Sequence, residues 1–158
     1  MADSTFVYAT YIKTTPEKLW EALTNCEFMK QYWFGTSCES DWKAGSSWKM
    51  VARDGQITDA GEIIESVPPK RLVIKWRHEL MPELKEEGYS RCVFDIEPAG
   101  NAVKLTITHG IGREGSKVIA AVSGGWPKIL SNLKSLIETG QVVLEKNEGC
   151  KAEAALKA

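Results

Sequence analysis

Hydrophobic and polar residues alternate with a period of two in six segments of the central part of the chain. These segments are Thr36–Asp41, Ser47–Ala52, Gly61–Val67, Arg71–His78, Ser90–Glu97 and Val103–His109. Within Arg71–His78, three apolar residues and His78 fall on one face, whereas Lys75 and Arg77 fall on the other. Strands with one apolar and one polar face are typical of antiparallel sheets. The alternation therefore predicts a sheet of antiparallel strands.

The first part of the chain predicts another strand, followed by two short helices. Phe6–Lys13 is rich in β-branched and aromatic residues, which favours a strand. Thr14 and Glu17 then fit the capping-box pattern that begins many helices, and Pro16 is tolerated in the first turn of a helix. The apolar residues of Phe28–Trp33 repeat at helical spacing and indicate a second short helix.

The last regular element is predicted to be one long amphipathic helix. Its apolar residues fall within an arc of about 120° of the helix surface, and they are Val118, Val122, Trp126, Ile129, Leu130, Leu133, Leu136 and Ile137. The helical phase continues through Gly124 and Gly125. We therefore expect a single helix with a kink at Pro127 and an end at Gly140.

The order of these elements predicts one α+β domain over residues 1–140. One strand and two helices precede six strands and the long helix, and no internal repeat or linker divides them. Residues 141–158 have no clear partner in the predicted arrangement, and we expect them to form a flexible C-terminal tail.

Two glycine-rich motifs near the start of the long helix resemble enzyme signatures. Gly110, Gly112 and Gly115 spell the G-x-G-x-x-G of dinucleotide-binding proteins, but the preceding strand is half polar and no second parallel strand follows. The sequence around Ser123 comes close to the G-x-S-x-G of hydrolases, but both histidines precede this serine, whereas the hydrolase order needs one after it. We therefore interpret Gly110–Gly115 as the loop that leads into the long helix.

The composition limits the classes of function. The 158 residues carry a net charge of −1, with acidic and basic residues interspersed, so a nucleic-acid-binding surface is not indicated. The sequence contains neither the run of ~20 apolar residues that spans a membrane nor a secretion signal, and we expect a cytoplasmic protein. Its four cysteines and two histidines lack the spacing of a metal site, so we expect free thiols and neither a metal nor a cofactor.

Several segments resemble those of a known family. They are "TTPEKLWEALT", "WKAGSSWKM", "PPKRLVIKW", "VFDIEPAGNAVKLTITH" and "GGWPKILSNLKSLIE". In their order and spacing they are similar to the activator of Hsp90 ATPase homologue 1-like (AHSA1-like) family of the START/Bet v 1-like, or SRPBCC, superfamily. The resemblance extends from Phe6 to Thr139. It implies a helix-grip fold, in which a curved antiparallel sheet surrounds the long C-terminal helix.

The resemblance also implies a cavity between the sheet and the helix. Many relatives bind an apolar ligand there, aromatase/cyclases of polyketide pathways use the space as a reaction chamber, and the co-chaperones that give the family its name activate Hsp90. Ligand pockets of this kind are mostly apolar and contain a few fixed polar groups. The residues that we expect to line the pocket are Trp33, Phe34, Trp48, Met50, Trp76, His78, Phe94, Ile107, His109, Trp126, Leu130 and Leu133.

His78 and His109 are the candidate polar groups of this pocket, because both fall on otherwise apolar strand faces. A buried histidine needs hydrogen-bond partners, so each is interpreted either as a structural residue or as one that orients a ligand hydroxyl or carbonyl. A role as a base is a further interpretation, since the histidine pKa lies near neutrality. The segment Glu83–Glu87 is interpreted as a solvated loop, at a position where a lid would lie.

Three functions remain open at this point. The leading hypothesis is that the protein binds a small hydrophobic molecule, aromatic or lipid-like, without chemistry, because no paired acid and base residues are evident. The first alternative is a polyketide cyclase/dehydratase-like or hydrolase-like enzyme that uses a cavity histidine. The second alternative is an interaction module for an Hsp90-type chaperone, with a role in the stress response. We expect a monomer or a weak dimer.

Overall fold

The computed structural model describes residues 4–145 of the chain. Among these residues, no helix combines the length and the apolar composition that a membrane crossing requires. Residues 146–158, which form most of the predicted tail, lie outside the described residues.

A seven-stranded sheet forms the larger part of the fold. Its strands are β1 (Ser4–Ile12), β2 (Ser37–Ser40), β3 (Ser47–Val51), β4 (Ile57–Val67), β5 (Arg71–His78), β6 (Ser90–Ala99) and β7 (Ala102–Ile111). Every neighbouring pair is antiparallel, and the order across the sheet is β1-β7-β6-β5-β4-β3-β2. The predicted antiparallel strands are confirmed, although the ends of most of them are displaced by a few residues.

Four helices accompany the sheet within residues 4–145. They are α1 (Pro16–Thr24), α2 (Cys26–Tyr32), α3 (Pro82–Lys85) and α4 (Lys117–Thr139). The long helix α4 contains Pro127 and ends at Gly140, whose φ of 86° provides the left-handed conformation of a C-terminal cap. The sequence had not predicted α3.

The antiparallel pairing and the extent of α4 also show that neither enzyme-like motif lies in the structural context that its chemistry needs. Gly110 lies inside β7, opposite Thr5 of β1, whereas a dinucleotide-binding fold needs a parallel strand at this place. Ser123 lies within α4 and donates a hydrogen bond to the carbonyl oxygen of Ala120, so it is not at the turn between a strand and a helix. Neither motif serves the chemistry that its pattern suggests.

The predicted cap of the first helix was wrong by one residue. Thr15, not Thr14, is the N-cap of α1, and its hydroxyl oxygen accepts a hydrogen bond from the Lys18 amide at 3.2 Å. Pro16 explains the difference, because a proline ring forces the residue before it into an extended conformation. Thr15 has φ −108° and ψ 157°, as an N-cap requires.

The apolar side of α4 and the inner face of the curved sheet enclose one core. The core contains the alternate residues that the sequence placed on the inner strand faces, and they are Leu72, Ile74, Trp76, Cys92, Phe94, Ile96, Val103, Leu105 and Ile107. From α4 it contains Trp126, Ile129, Leu130 and Leu133. This arrangement is the helix-grip fold that the sequence predicts.

The residues that follow α4 are bonded back to it. The side-chain oxygen of Asn132 accepts hydrogen bonds from the amides of Val143 and Leu144, at 3.1 and 2.7 Å, and its amide group donates to the Leu144 carbonyl. Asn132 is 1% exposed, although its side chain is polar. It therefore fixes the start of the predicted tail, residues 141–145, against the body of the protein.

The segment Glu83–Glu87 is a solvated loop only in part: it contains residues of α3, and Leu84 and Glu87 contact the rest of the protein, whereas Glu83, Lys85 and Glu86 are exposed. Leu84 is buried in a small apolar cluster with Ile111, Val118 and Ile119. The Glu87 carboxylate accepts hydrogen bonds from the Ser116 hydroxyl at 2.6 Å and from the Lys117 amide at 2.8 Å. The segment therefore supports the N-terminal end of α4.

Candidate functional site

A group of rings lies at the centre of the interface between α4 and the sheet. This aromatic cluster consists of Trp33, Trp48, Trp76, Phe94, His109 and Trp126. Each of these residues is at most 7% exposed. The centroids of its contacting rings are 4.5–6.4 Å apart, within the range of attractive aromatic contacts.

Strand pairing explains why two of the tryptophans meet. Trp76 in β5 lies opposite Gly61 of β4, and Gly61 lies opposite Trp48 of β3. Residues directly opposite each other share one face of a sheet, so both rings stand on the same side with no side chain between them. Their centroids are 4.5 Å apart. A Cβ on Gly61 would lie 1.7 Å from the Lys75 carbonyl oxygen, which excludes a larger residue here.

All the residues predicted to line a pocket lie in or against this core. Met50, Ile107, Leu130 and Leu133 are buried in it, and Phe34 packs against its edge. His78, at the end of β5, is 6% exposed. Because the rings of the aromatic cluster contact one another directly, a ligand that enters between these rings must displace at least one of them. The cavity itself stays a prediction.

Two open depressions on the described surface share at most one residue with the aromatic cluster. One of about 410 Å³ contains none of the predicted pocket residues, and it is lined by Thr14, Lys18, Glu21, Ala22, Asn25, Phe28, Leu136 and Ile137. Another of about 460 Å³ lies beside β2, β3 and β4 and shares only Trp48 with the predicted pocket. Neither depression reaches the two histidines.

His109 uses both of its ring nitrogens inside the protein. The Trp126 indole N–H donates to Nδ1 at 3.1 Å, so the ring proton is on Nε2, which donates to the Ser90 hydroxyl oxygen at 2.7 Å. Ser90 in turn donates to the Trp76 carbonyl at 3.2 Å. Burial, with the nearby His78, lowers the pKa of His109 to about 3. His109 is therefore a neutral structural residue with no free nitrogen for a base.

Asp59 in β4 is the main polar residue of the site that the sequence did not reveal. It is 1% exposed, and its carboxylate accepts hydrogen bonds from the Trp76 indole N–H and the Thr58 hydroxyl, both at 2.7 Å. Nδ1 of His78 lies 3.2 Å from the same oxygen that Trp76 contacts. Burial raises the pKa of Asp59, whereas His78, Thr58 and Trp76 act to lower it.

The position of Asp59 explains why it was missed. The alternation was followed back only to Gly61, and residues 56–60 were assigned to no element. The strand β4 begins at Ile57, and Asp59 pairs with Met50 on one side and His78 on the other. Extending the period of two by one step would have placed Asp59 on the inner face.

Two buried ring nitrogens have no hydrogen-bond partner among residues 4–145. They are Nε1 of Trp33 and Nε2 of His78. By contrast, the indole N–H groups of Trp76 and Trp126 are bonded to Asp59 and His109. A buried polar group without a partner costs about 1–3 kcal/mol, so such groups call for an explanation.

The described residues include no group of three or more His, Cys, Asp or Glu side chains arranged to hold a metal ion. Cys26, Cys38 and Cys92 are free thiols, whereas Cys150 lies outside the described residues. The Sγ atoms of Cys26 and Cys38 are 3.5 Å apart, at the start of α2 and in β2.

Comparison with sequence families places the chain in a known group. The model of the family described as activator of Hsp90 ATPase homolog 1-like protein matches residues 13–138. Comparison with curated proteins gave no significant match.

Comparison with solved structures gives similar folds from several organisms. The solution structure of ChR145 from Cytophaga hutchinsonii is 27% identical, with a TM-score of 0.72 over 89% of this chain and 98% of that one. An Hsp90 activator from Plasmodium falciparum is 23% identical, with a TM-score of 0.69 over 85% of this chain and 96% of that one. The Aha1 dimer from Colwellia psychrerythraea is 21% identical, with a TM-score of 0.71 over 87% and 98% of the two chains.

Proposed function

The chain belongs to the activator of Hsp90 ATPase homologue 1-like family of the SRPBCC superfamily, and from this premise we propose that it binds a small hydrophobic molecule between the sheet and α4. The observation that carries the proposal is the pair of unpartnered buried nitrogens, Trp33 Nε1 and His78 Nε2, beside a dense group of aromatic rings. Apolar walls with a few unused polar groups are the usual design of a small-molecule site.

Trp33 is the ring that a ligand displaces at the lowest cost. The indoles of Trp76 and Trp126 are each held by a hydrogen bond, to Asp59 and His109, which a ligand would have to break. The Trp33 indole has no such bond, and the residue follows the last turn of α2. Its ring contacts Trp76 and Trp126 at centroid distances of 6.4 and 5.4 Å. We therefore propose that the ligand lies against the faces of Trp76 and Trp126 that Trp33 covers.

Calorimetric titration of the purified protein tests this function. The ligands are flat aromatic compounds, polyphenols and neutral lipids, and each is titrated at two temperatures. A ligand of the right class should bind saturably and with a negative heat-capacity change, the sign that apolar surface is buried. Mass spectrometry of an organic extract of the protein provides an independent readout. If none of these classes binds and no molecule is extracted, the proposal is wrong.

A second candidate function is the activation of an Hsp90-type chaperone. The family match favours it, because the family is described by this activity, and an Hsp90 activator from Plasmodium falciparum shares the fold. Such a function would use an outer surface of the domain and would not need the aromatic cluster. The test is the ATPase rate of Hsp90 with and without this protein. An unchanged rate at saturating protein concentration would exclude direct activation.

An enzymatic function that uses a cavity histidine as a base would depend on His78. Both nitrogens of His109 are already bonded, so it has no lone pair with which to take a proton from a substrate. His78 has a carboxylate beside Nδ1 and no partner at Nε2 among the described residues. Of the two histidines named as candidate bases, only His78 has the geometry for that role.

A further inference from the structure

Two cysteine thiols lie in contact where α2 meets β2. Cys26 is the first residue of α2 and Cys38 lies in β2, and their Sγ atoms are 3.5 Å apart. Cys26 is partly exposed to solvent, whereas Cys38 is 0% exposed. An accessible thiol beside a second cysteine that can react with it is the arrangement found in many redox sensors.

Hydrogen peroxide can join this pair without any further reactant. The Cys26 sulfur attacks the peroxide, so that an S–O bond forms, the O–O bond breaks and the thiol proton leaves in a molecule of water. The Cys38 sulfur then attacks Cys26: the S–S bond forms, the S–O bond breaks, and the departing hydroxide takes the Cys38 proton as a second water. Burial raises the pKa of Cys38, so this thiol reacts with a neighbour held beside it and not with reagents from solvent.

The disulfide would close a covalent ring of residues 26–38, and Trp33 lies inside this ring. Trp33 is the C-cap of α2, and its amide donates to the Met29 carbonyl at 2.8 Å. Its own carbonyl accepts from the Thr36 amide at 2.9 Å, in the turn that leads into β2. The backbone of Trp33 is thus bonded to both sides of the ring. An S–S bond would fix the start of α2 to β2 and restrain this segment at both ends.

The Trp33 indole needs a movement of this backbone to leave the aromatic cluster. The residue is 7% exposed, and its ring contacts those of Trp76 and Trp126. Because protein interiors are close-packed, a ring of this size leaves only when the segment that carries it shifts. The next residue, Phe34, has a φ of 51°, which costs free energy for a residue with a side chain, and relaxation of this strain would move the turn.

We propose that Cys26 and Cys38 form a redox switch, in which the disulfide holds Trp33 in the aromatic cluster and thereby lowers the affinity for the ligand. The ligand binds the form of the protein in which Trp33 is released, so its apparent affinity follows the population of that form. The covalent ring reduces this population, because it removes movements of α2 relative to β2. This inference rests on the proposed ligand-binding function and specifies how the site is regulated.

Hydrogen exchange at the Trp33 indole measures the switch without a ligand. This N–H has no hydrogen-bond partner among residues 4–145, so its exchange with heavy water reports how often the ring loses its burial. Reduced and peroxide-oxidised protein are compared, and peptide mass spectrometry verifies the link between Cys26 and Cys38. We expect exchange about three- to tenfold slower in the oxidised protein. The Trp126 indole, which is bonded to His109, should change little and provides the internal reference.

Binding of β-naphthol, a flat aromatic probe, gives the second readout. Its dissociation constant, measured by calorimetry, should be about three- to tenfold higher for the oxidised protein, and dithiothreitol should restore the lower value. Cys26→Ser is the matched control, because it keeps the other cysteines and every methionine, and circular dichroism verifies that it is folded. Peroxide should change neither the exchange rate nor the dissociation constant of this variant.

The outcomes separate the switch from the function on which it rests. Oxidised protein that contains the disulfide but keeps the exchange rate and the affinity of the reduced form would overturn the switch and leave ligand binding standing. Free thiols at both positions after peroxide treatment, or an equal response of Cys26→Ser, would also overturn it. If neither β-naphthol nor the other ligand classes bind the reduced protein, the proposed function is wrong, and the exchange rates alone decide whether the disulfide restrains Trp33.

Discussion

The Trp126 indole N–H donates a hydrogen bond of 3.1 Å to Nδ1 of His109. Trp126 belongs to α4 and His109 to β7, so this bond joins the long helix to the strand next to the edge strand β1. It also fixes the proton of His109 on Nε2 and orients the indole that forms one wall of the aromatic cluster. The contribution of this bond should therefore be measurable in the free energy of unfolding and in the dependence of that free energy on pH.

Removal of the Trp126 donor should destabilise the fold. In Trp126→Phe the ring is retained, but Nδ1 of His109 loses its partner, and we expect a loss of about 1–3 kcal/mol in the free energy of unfolding. The matched control is Trp33→Phe, in which the lost N–H had no partner among the described residues. Urea denaturation of both variants provides the comparison. Equal losses would contradict the difference that we assign to the two indoles.

The low pKa of His109 should make the fold sensitive to mild acid. Its pKa is about 3 in the folded protein, against 6.5 for an ordinary histidine, so the unfolded chain takes up this proton first. The stability is fully present above pH 6.5 and is lost as the pH falls towards 3, by about 1 kcal/mol per pH unit.

The variant His109→Gln isolates this contribution, because its amide can bond to Trp126 and Ser90 but does not titrate in this range. Unfolding free energies measured from pH 7 to pH 5 should fall for the wild type and stay nearly constant for the variant. Carboxylates such as Glu87 titrate mainly below this window. The same slope in both proteins would show that His109 is not the cause.

Glu87 should stabilise the N-terminal end of α4. Its carboxylate accepts from Ser116 and Lys117 at the positive end of the helix dipole, and in Glu87→Gln we expect a loss of about 1 kcal/mol at neutral pH. Glu83→Gln, an exposed position in the same segment, is the control.

The pH dependence provides a second check on Glu87. Burial acts to raise its pKa, but the hydrogen bonds from Ser116, Lys117 and Val118 lower it below the ordinary value of 4.5. Its stabilising effect is therefore present above pH 4.5 and is lost as the pH falls through the lowered pKa. Thermal melting temperatures of the wild type and Glu87→Gln should converge in acid. A constant difference would argue against a carboxylate effect.

Cys26 and Cys38 should form a disulfide when the protein is oxidised. Their Sγ atoms are 3.5 Å apart, so a small movement suffices to bring them within bonding distance. With diamide as the oxidant, each thiol gives up a proton and an electron, the S–S bond forms, and diamide is reduced to the hydrazine. Peptide mass spectrometry detects the linked peptides. The variant Cys38→Ser should yield none, and alkylation of both thiols after oxidation would contradict the expectation.

The sequence revealed the sheet and α4 because their periodicity is enforced by burial over many residues. Trp76, His109 and Trp126 were assigned to one site for the same reason, since each continues an apolar face. Asp59 was missed because a carboxylate interrupts that pattern, and its burial depends on donors from β5 that only the fold brings near. The helix α3 has four residues, too few for a helical period to be visible.

The hydrogen bonds of the aromatic cluster could not be predicted from the sequence. Nothing in the pattern distinguishes Trp33 from Trp126, yet one indole N–H is unpartnered among residues 4–145 and the other is bonded to His109. The distinction arises from the end of α2 and from the position of Trp126 over β7. It determines which ring a ligand is expected to replace.

The central claim, that a ligand displaces Trp33 from the aromatic cluster, is tested most directly by the indole N–H signals of the six tryptophans. Nitrogen–proton correlation spectra are recorded while a flat aromatic compound such as β-naphthol is added, with Trp33→Phe used to assign the Trp33 signal. We predict a saturable shift of the Trp33 signal, smaller shifts of Trp76 and Trp126, and little change at Trp20 on α1. A Trp33 signal that stays in place while the ligand binds would contradict the account.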